Sequence, residues 1–204
     1  MRNDEILSFI DKSSYTARKY AAKEYILRSG DTTHSIGIVL SGDILIVKED
    51  VWGNRNIMAK LPAGSMFAET FVCAGGVPLN VSVISEGDSE ILFIDMSPVL
   101  FEGSQPLPGR EKIIKNLIGD LAQKNLRVNA KVTHMSRKST REKLLSFLSS
   151  ESERQGSLEF DIIFDRQQLA DFLGVDRSAM SSELSKLKND GLISYNKNHF
   201  VLLK

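Results

Sequence analysis

The sequence predicts an α+β protein in three parts. These are a jelly-roll-like β-roll over residues 1–107, one long helix over 108–135, and a small unit of short helices and a hairpin over 136–204. Three observations predict it. Short apolar stretches divided by Gly, Asp and Asn turns fill residues 29–98. A run with no further proline, its apolar residues at helical spacing, follows Pro108. Two short helical patterns broken at Gly174 then lead into a terminal hairpin pattern.

The composition sets the class. The 204 residues are 42% apolar and 25% charged, the balance of a globular chain. No stretch approaches the ~20 apolar residues of a membrane helix. The segment "MRNDEILSFIDKSS" lacks the apolar core of a signal peptide, so a cytoplasmic protein with no membrane partner is expected. One cysteine, Cys73, excludes an internal disulfide framework and a four-cysteine metal or iron–sulfur site. Net charge is zero but uneven. Residues 1–107 hold 9 Lys/Arg against 14 Asp/Glu, 108–135 hold 6 against 2, and 136–204 hold 11 against 10. The more basic back half hints at a polyanion partner; ordinary solvated faces account for the charge equally well.

Element by element, residues 1–28 read as helical, with Ile6, Phe9 and Ile10 on one side. "HSIGIVL", "ILIV", "NIMAKL", "NVSVIS" and "EILFID", with turns at "SGD", "WGN", "PAG" and "EGDS", read as strands of a sandwich or roll. Pro106 and Pro108 close that region. Beyond Gly109, Ile114, Leu117, Leu121, Val128 and Val132 predict a helix of roughly 25 residues and about 40 Å. Ile114, Leu121 and Val128 repeat every seven residues, the mark of a helix seam. Lys124 and Lys131 interrupt it at the companion positions after Leu117. The helix either lies against its own β-roll or pairs with a second copy, and its length favours the homodimer, with Ile114, Leu117, Leu121 and Val128 as the interface.

"STRE", Ser139 to Glu142, is a capping-box pattern that opens a new helix, making "THMSRK" a break before it. "LEFDIIF" alternates Leu158, Phe160, Ile162 and Phe164 as a short strand. Asp165 is an N-cap with Gln168 able to cap back, and the helix "RQQLADFL" buries Leu169, Phe172 and Leu173 before Gly174 ends it. Asp176 caps a second helix whose Met180, Leu184 and Leu187 face inward. Arg177, Ser178, Ser181, Ser182 and Ser185 lie at its tip or flanks. "LISY", "NKN" and "HFVLL" complete a hairpin, so the unit reads as a winged helix-turn-helix. Small side chains let such a helix enter a major groove about 12 Å wide, and its N-terminal N–H groups suit phosphate. Arg177 can bridge two guanine acceptors or grip a phosphate, and Lys186, Lys188 and Lys197 suit backbone contact.

With these residues in view, the whole chain resembles the Crp/Fnr family of bacterial regulators. The C-terminal stretch "FDRQQLADFLGVDRSAMSSELSKLKNDGLISYNKNHFVLL" carries the strongest likeness. "TREKLLSFL" is similar to the first helix of that domain, and "SIGIVLSGDILIVKED" and "AGSMFAETF" to the family's β-roll. The resemblance implies a cyclic-nucleotide-binding-domain-like roll, a dimerisation helix, and a homodimer on an inverted repeat of double-stranded DNA, with half-sites about 34 Å apart. It also implies RNA polymerase as a partner. The base-reading positions fall on Arg177, Ser178, Ser181 and Ser182. Many members carry Glu where Ser178 stands and Arg where Ser182 stands. Serine discriminates little, so DNA shape and water are expected to carry part of the specificity.

For the roll, the resemblance puts Glu69 at the position of the ribose-binding Glu and Leu79–Asn80 at the phosphate-binding Arg-Ser pair. An anionic phosphate without its cation costs several kcal/mol, so no tight cyclic-AMP binding is expected. Arg127 on the long helix is the candidate substitute cation, and Cys73, in the same loop as Glu69, reads either as a thiol sensor or as a small buried apolar residue. An unidentified small-molecule effector is expected, and no certain cofactor. His34, His134 and His199 are scattered and read as structural. Two alternatives stand beside the effector-gated regulator. One is a ligand-independent DNA-binding protein whose roll only supports dimerisation. The other is a cupin-like metalloenzyme, disfavoured because only His34 lies in the β region. The chain is expected not to be an enzyme.

Overall fold

The computed structural model describes residues 15–50, 52, 55–100 and 110–203. The chain divides into two compact units, Met1–Gln123 and Lys124–Lys204. The division falls inside the long helix, ahead of the 133–138 break suggested by the sequence.

Among the described residues the first unit holds eight strands. They are β1 (Tyr15–Tyr20), β2 (Tyr25–Leu27), β3 (Ser35–Ser41), β4 (Asp43–Glu49), β5 (Arg55–Pro62), β6 (Met66–Phe67), β7 (Ser82–Ser85) and β8 (Ser89–Asp95). One antiparallel sheet runs β1-β8-β3-β6 and the other β2-β7-β4-β5. The strand reading of residues 29–98 therefore holds, while the helical reading of 1–28 fails over its described part. Tyr15 to Tyr20 pairs with β8, Tyr15 opposite Ile94 and Tyr20 opposite Ser89. A pairing partner far along the chain decides that segment, and local pattern does not report it. Ile6, Phe9 and Ile10, like Pro106 and Pro108, lie outside the described residues.

Period-two alternation sorts the apolar residues into two cores. Val39 and Ile91 face inward with Ile26, Ile44, Leu61, Phe67 and Val83. Ile36, Ile38, Leu92 and Ile94 face the other way and pack with Met96, Val99 and Leu117. Strands β3 and β8 are buried on both faces, which explains why "SIGIVL" and "EILFID" read as nearly continuous apolar runs. Gly37 makes the inner core possible, because a Cβ there would sit 2.1 Å from the Phe67 ring.

Among the described residues, two short helices, α1 (Glu69–Cys73) and α2 (Ser97–Leu100), precede the long helix α3 (Arg110–Met135). Its 26 residues match the expected length. The start of α3 is tied down by Arg110, whose Nε donates to the Val99 carbonyl at 2.8 Å. Of the four residues assigned to the seam, Leu117 is buried against its own β-roll. Ile113, Ile114 and Leu121 are half-buried on the same core. Val128 is exposed, together with Ile118, Leu126 and Val132.

The second unit contains α4 (Thr140–Gln155), β9 (Glu159–Asp161), α5 (Arg166–Leu173), α6 (Arg177–Asn189), β10 (Ile193–Asn196) and β11 (His199–Leu202). The sheet order is β10-β11-β9. Ser139 and Glu142 form the expected capping box, as do Asp165 and Gln168. Of the "LEFDIIF" alternation, Phe160, Ile162 and Phe164 are buried, while Leu158 is exposed. The end of α3 packs inside this unit. Lys131 and His134 are 8% and 6% exposed. The Lys131 ammonium lies 4.3 Å over the Phe172 ring, and His134 Nδ1 is 2.8 Å from Ser146 Oγ.

Candidate nucleic-acid interface

Three elements of the second unit converge on one face. Helix α5 begins at Asp165, whose Oδ1 accepts from the Gln168 N–H at 2.8 Å, while Gln168 Oε1 accepts from the Asp165 N–H at 3.0 Å. It ends at Gly174, whose φ of 60° is the left-handed conformation that lets the chain turn at once into α6. From α4, Lys143 Nζ donates to the carbonyls of Leu173 (3.2 Å) and Gly174 (3.4 Å), holding the turn from behind. Beneath α6, Met180, Leu184 and Leu187 are fully buried or nearly so, as their spacing predicts. Its outer face is therefore fixed: Arg177, Ser178, Ser181, Ser182, Ser185 and Lys186 are all exposed.

The wing is a tight hairpin. Asn196 pairs with His199, leaving Lys197 and Asn198 as its turn. Lys197 takes φ = 52°, unusual for a residue with a Cβ. Arg166 secures it: Nη2 donates to the Lys197 carbonyl at 2.7 Å. The same guanidinium lies 4.9 Å over Tyr195 and 5.1 Å over Phe200. His199 sits between two carboxylates of β9, its ring nitrogens each 3.1 Å from Asp161 and Glu159.

Asp165, Arg166, Gln167, Arg177, Lys197 and Asn198 line an open cleft of about 520 Å³. Its three cations come from the start of α5, the start of α6 and the wing. The helix macrodipole disfavours cations at an N-terminus; Arg166 is held there by the wing, whereas Arg177 stands exposed at the first position of α6 against local preference. Such a placement suits an external anion. Arg166 was not among the residues singled out from sequence; an Arg directly after a capping Asp was the available signal. Lys143 left no local signal.

Two expectations change in detail. The N-terminus of α6 is not an open phosphate cradle, because Asp176 Oδ1 already accepts from the Ala179 N–H at 2.8 Å. Lys186 Nζ is paired with Glu183 at 2.6 Å, which limits its reach.

In the β-roll, Glu69 is buried at the start of α1 and accepts from Thr70 Oγ1 at 3.2 Å. The residue before it, Ala68, takes φ = 67°. Leu79, at the position of the family's phosphate Arg, is buried, and Asn80 is exposed. The Leu79 N–H donates to the Asp31 carbonyl at 2.8 Å, and its own carbonyl accepts from Gly30 N at 2.8 Å. Cys73 is exposed, contrary to the buried alternative. Partial burial, then the neighbouring Glu69 charge, pushes its thiol pKa up, which disfavours the reactive thiolate. Arg127 is exposed and falls in the second unit, whereas Glu69, Leu79 and Asn80 belong to the first. No helix among the described residues is long and apolar enough to cross a membrane.

Residues 17–100 match the cyclic nucleotide-binding domain, and residues 142–204 match the Crp-like helix-turn-helix domain. The transcriptional activator protein FnrL of Cereibacter sphaeroides is 31% identical over 78 residues, covering 34% of this chain and 32% of that relative. Among solved structures, the c-di-GMP-responsive global regulator CLP of Xanthomonas campestris has a TM-score of 0.73 at 20% identity, covering 94% of this chain and 95% of its own. FixK2 of Bradyrhizobium japonicum gives 0.67 at 18%, with 92% of each chain covered. At these identities the structures speak for the fold alone.

Proposed function

As a member of the Crp/Fnr family, carrying that family's two domains in order, the chain has a settled ancestry, and we propose that it is a transcription regulator binding double-stranded DNA as a homodimer. The observation that carries this reading is the three-cation cleft beside the exposed, serine-tipped face of α6. That face has a firm apolar underside and a pinned wing, as a probe of a groove requires. The operator is an inverted repeat, each α6 entering one half-site. Arg177 contacts guanine, while Ser178, Ser181, Ser182 and Ser185 line the groove. Lys197 and, less freely, Lys186 contact the backbone. RNA polymerase is the further partner of such a regulator.

The dimer face is the row of α3 that carries exposed Ile118, Val128 and Val132 beside half-buried Leu121. Ile118, Leu121, Val128 and Val132 follow alternating steps of three and four, with Asn125 at the same repeat and Met135 continuing it. In a soluble chain, exposed apolar residues in such a row suit a second copy. Leu117 belongs to the inner row and is not part of this seam.

The β-roll is a sensor that does not take cyclic AMP. Leu79 presents an apolar side chain where the phosphate would need a cation. The same observation favours a second reading, in which the roll holds no effector and DNA binding is constitutive. One experiment tests both: recovery of bound duplexes from a random pool, with and without small-molecule extracts. An inverted repeat is expected, with recovery falling roughly tenfold or more for Arg177→Ala. Unchanged recovery and preference in that variant would refute the role of Arg177. Extract-independent binding favours the constitutive reading.

A further inference from the structure

The serines of α6 are not free hydroxyls. Ser178 Oγ donates to Asp176 Oδ1 at 2.5 Å, Ser181 Oγ to the Arg177 carbonyl at 2.9 Å, and Ser185 Oγ to the Ser181 carbonyl at 3.0 Å. A hydroxyl has one proton and two lone pairs. With the proton committed inside the helix, each group offers only acceptor lone pairs outward. Asp176 extends the pattern. The Ser178 hydroxyl and then the Ala179 N–H hold its carboxyl below the usual range, so it is ionised and accepts only.

Positions 178, 181 and 185 share one face of α6. They span about 10 Å along the axis at 1.5 Å per residue, or about three base-pair steps. Arg177 supplies donors at one end of this row. In the major groove, adenine N6 and cytosine N4 present donors, whereas guanine O6 and thymine O4 present acceptors.

Taking the DNA-binding reading as its premise, we propose that α6 reads the groove as an acceptor surface, Ser178, Ser181 and Ser185 selecting the amino groups of adenine or cytosine while Arg177 selects guanine. An uncommitted serine would turn its proton toward a keto oxygen and tolerate either base. A committed one must first break its internal bond. Ser178 discriminates most, because its bond is to a carboxylate and is charge-assisted. The loss of information at positions where relatives carry charged readers is thereby reduced: the serines are fixed in role by their own helix.

Base selection alone does not separate donor from acceptor reading, since every pair carries both an amino and a keto group. Base analogues do. Duplexes selected by the full-length protein, and by Ser178→Ala and Ser181→Ala variants, first identify the positions whose preference each serine controls. At those positions purine replaces adenine, or 2-pyrimidinone replaces cytosine, deleting the amino group. The expected loss for the unsubstituted protein is about fivefold to tenfold in affinity. The matching Ala variant should show no such serine-dependent loss, so the cycle cancels any weakening of the base pair itself. Deletion of the keto oxygen on the partner base should leave the serine-dependent part unchanged. Sensitivity to the keto deletion instead, or to neither, overturns the acceptor assignment while leaving DNA binding standing. A protein that retains no duplex at all overturns the premise as well.

Discussion

Replacing Lys131 with methionine should stabilise the second unit. Lys131 is 8% exposed, with its ammonium over the Phe172 ring. Burial lowers its pKa from 10.5 to about 8. At about 1.4 kcal/mol for each tenfold, the charged form costs the folded state about 3 kcal/mol at neutral pH. Residual solvent screening reduces this to about 2 kcal/mol. The cation–π contact returns roughly 0.5–1 kcal/mol. Methionine keeps the stem's packing and loses both terms together with the ammonium's remaining contacts, a net gain of at most about 1 kcal/mol, or roughly 4–8 °C for a unit this size. The sign with pH follows from linkage. The unfolded chain binds more protons than the folded one between pH 8 and 10.5, so stability rises with pH across that window. Calorimetry on the full chain, at about pH 7 and again near pH 9.5, tests both parts. The Lys131→Met variant should melt higher at neutral pH and lack the rise that the unsubstituted chain shows. If that variant melts no higher, or the rise survives in it, the desolvation argument is wrong.

Three further outcomes are expected. Gly37→Ala forces a Cβ within 2.1 Å of the Phe67 ring and should destabilise the β-roll by roughly 1–3 kcal/mol; denaturant unfolding checks this, and Phe67→Leu in the same chain should recover part of the loss. Lys143→Met removes the donor to Leu173 and Gly174, which should cost about 1 kcal/mol in the melting of the second unit and weaken operator binding, read by fluorescence anisotropy. His134 has its pKa lowered below 6.5 by burial, opposed by Glu151 and assisted by Arg137. The stability of its neutral form is present above pH 6.5 and lost as pH falls toward the depressed value, so the second unit should melt lower at about pH 5 than at about pH 7.5, and less so in His134→Gln.

The β-roll was legible because its strands alternate at period two and Gly or Asp turns divide them; β3, β4, β5, β7 and β8 match the segments read from sequence to within one or two residues at each end. The first strand was not, since "YTARKY" is a strand only by virtue of β8 beside it. The long helix was legible in length but not in facing. The seven-residue repeat of Ile114, Leu121 and Val128 allows a companion row three residues on or four. The structure turns the first row inward, burying Leu117 and Lys131, and leaves the second, Ile118 and Val132, exposed. Lys131, which interrupts the seam in the sequence, lies in the inner row with its ammonium on an aromatic ring.

The same division of local from distant contacts governs the interface. Both capping boxes, the Gly174 turn and the Met180, Leu184 and Leu187 underside act across three to seven residues, and each was read correctly. The contacts that hold the reading face in place do not act locally: Lys143 reaches Leu173 across 30 positions, and Arg166 reaches Lys197 across 31. The serine bonds are the instructive middle case. Ser181 to Arg177 and Ser185 to Ser181 are four-residue contacts that any α6 of this sequence allows. Ser178 to Asp176 needs the cap itself to be formed. A serine among the candidate readers therefore says little until the helix around it is built. Once it is built, its proton has an internal destination and its chemistry toward DNA is reduced from two possibilities to one.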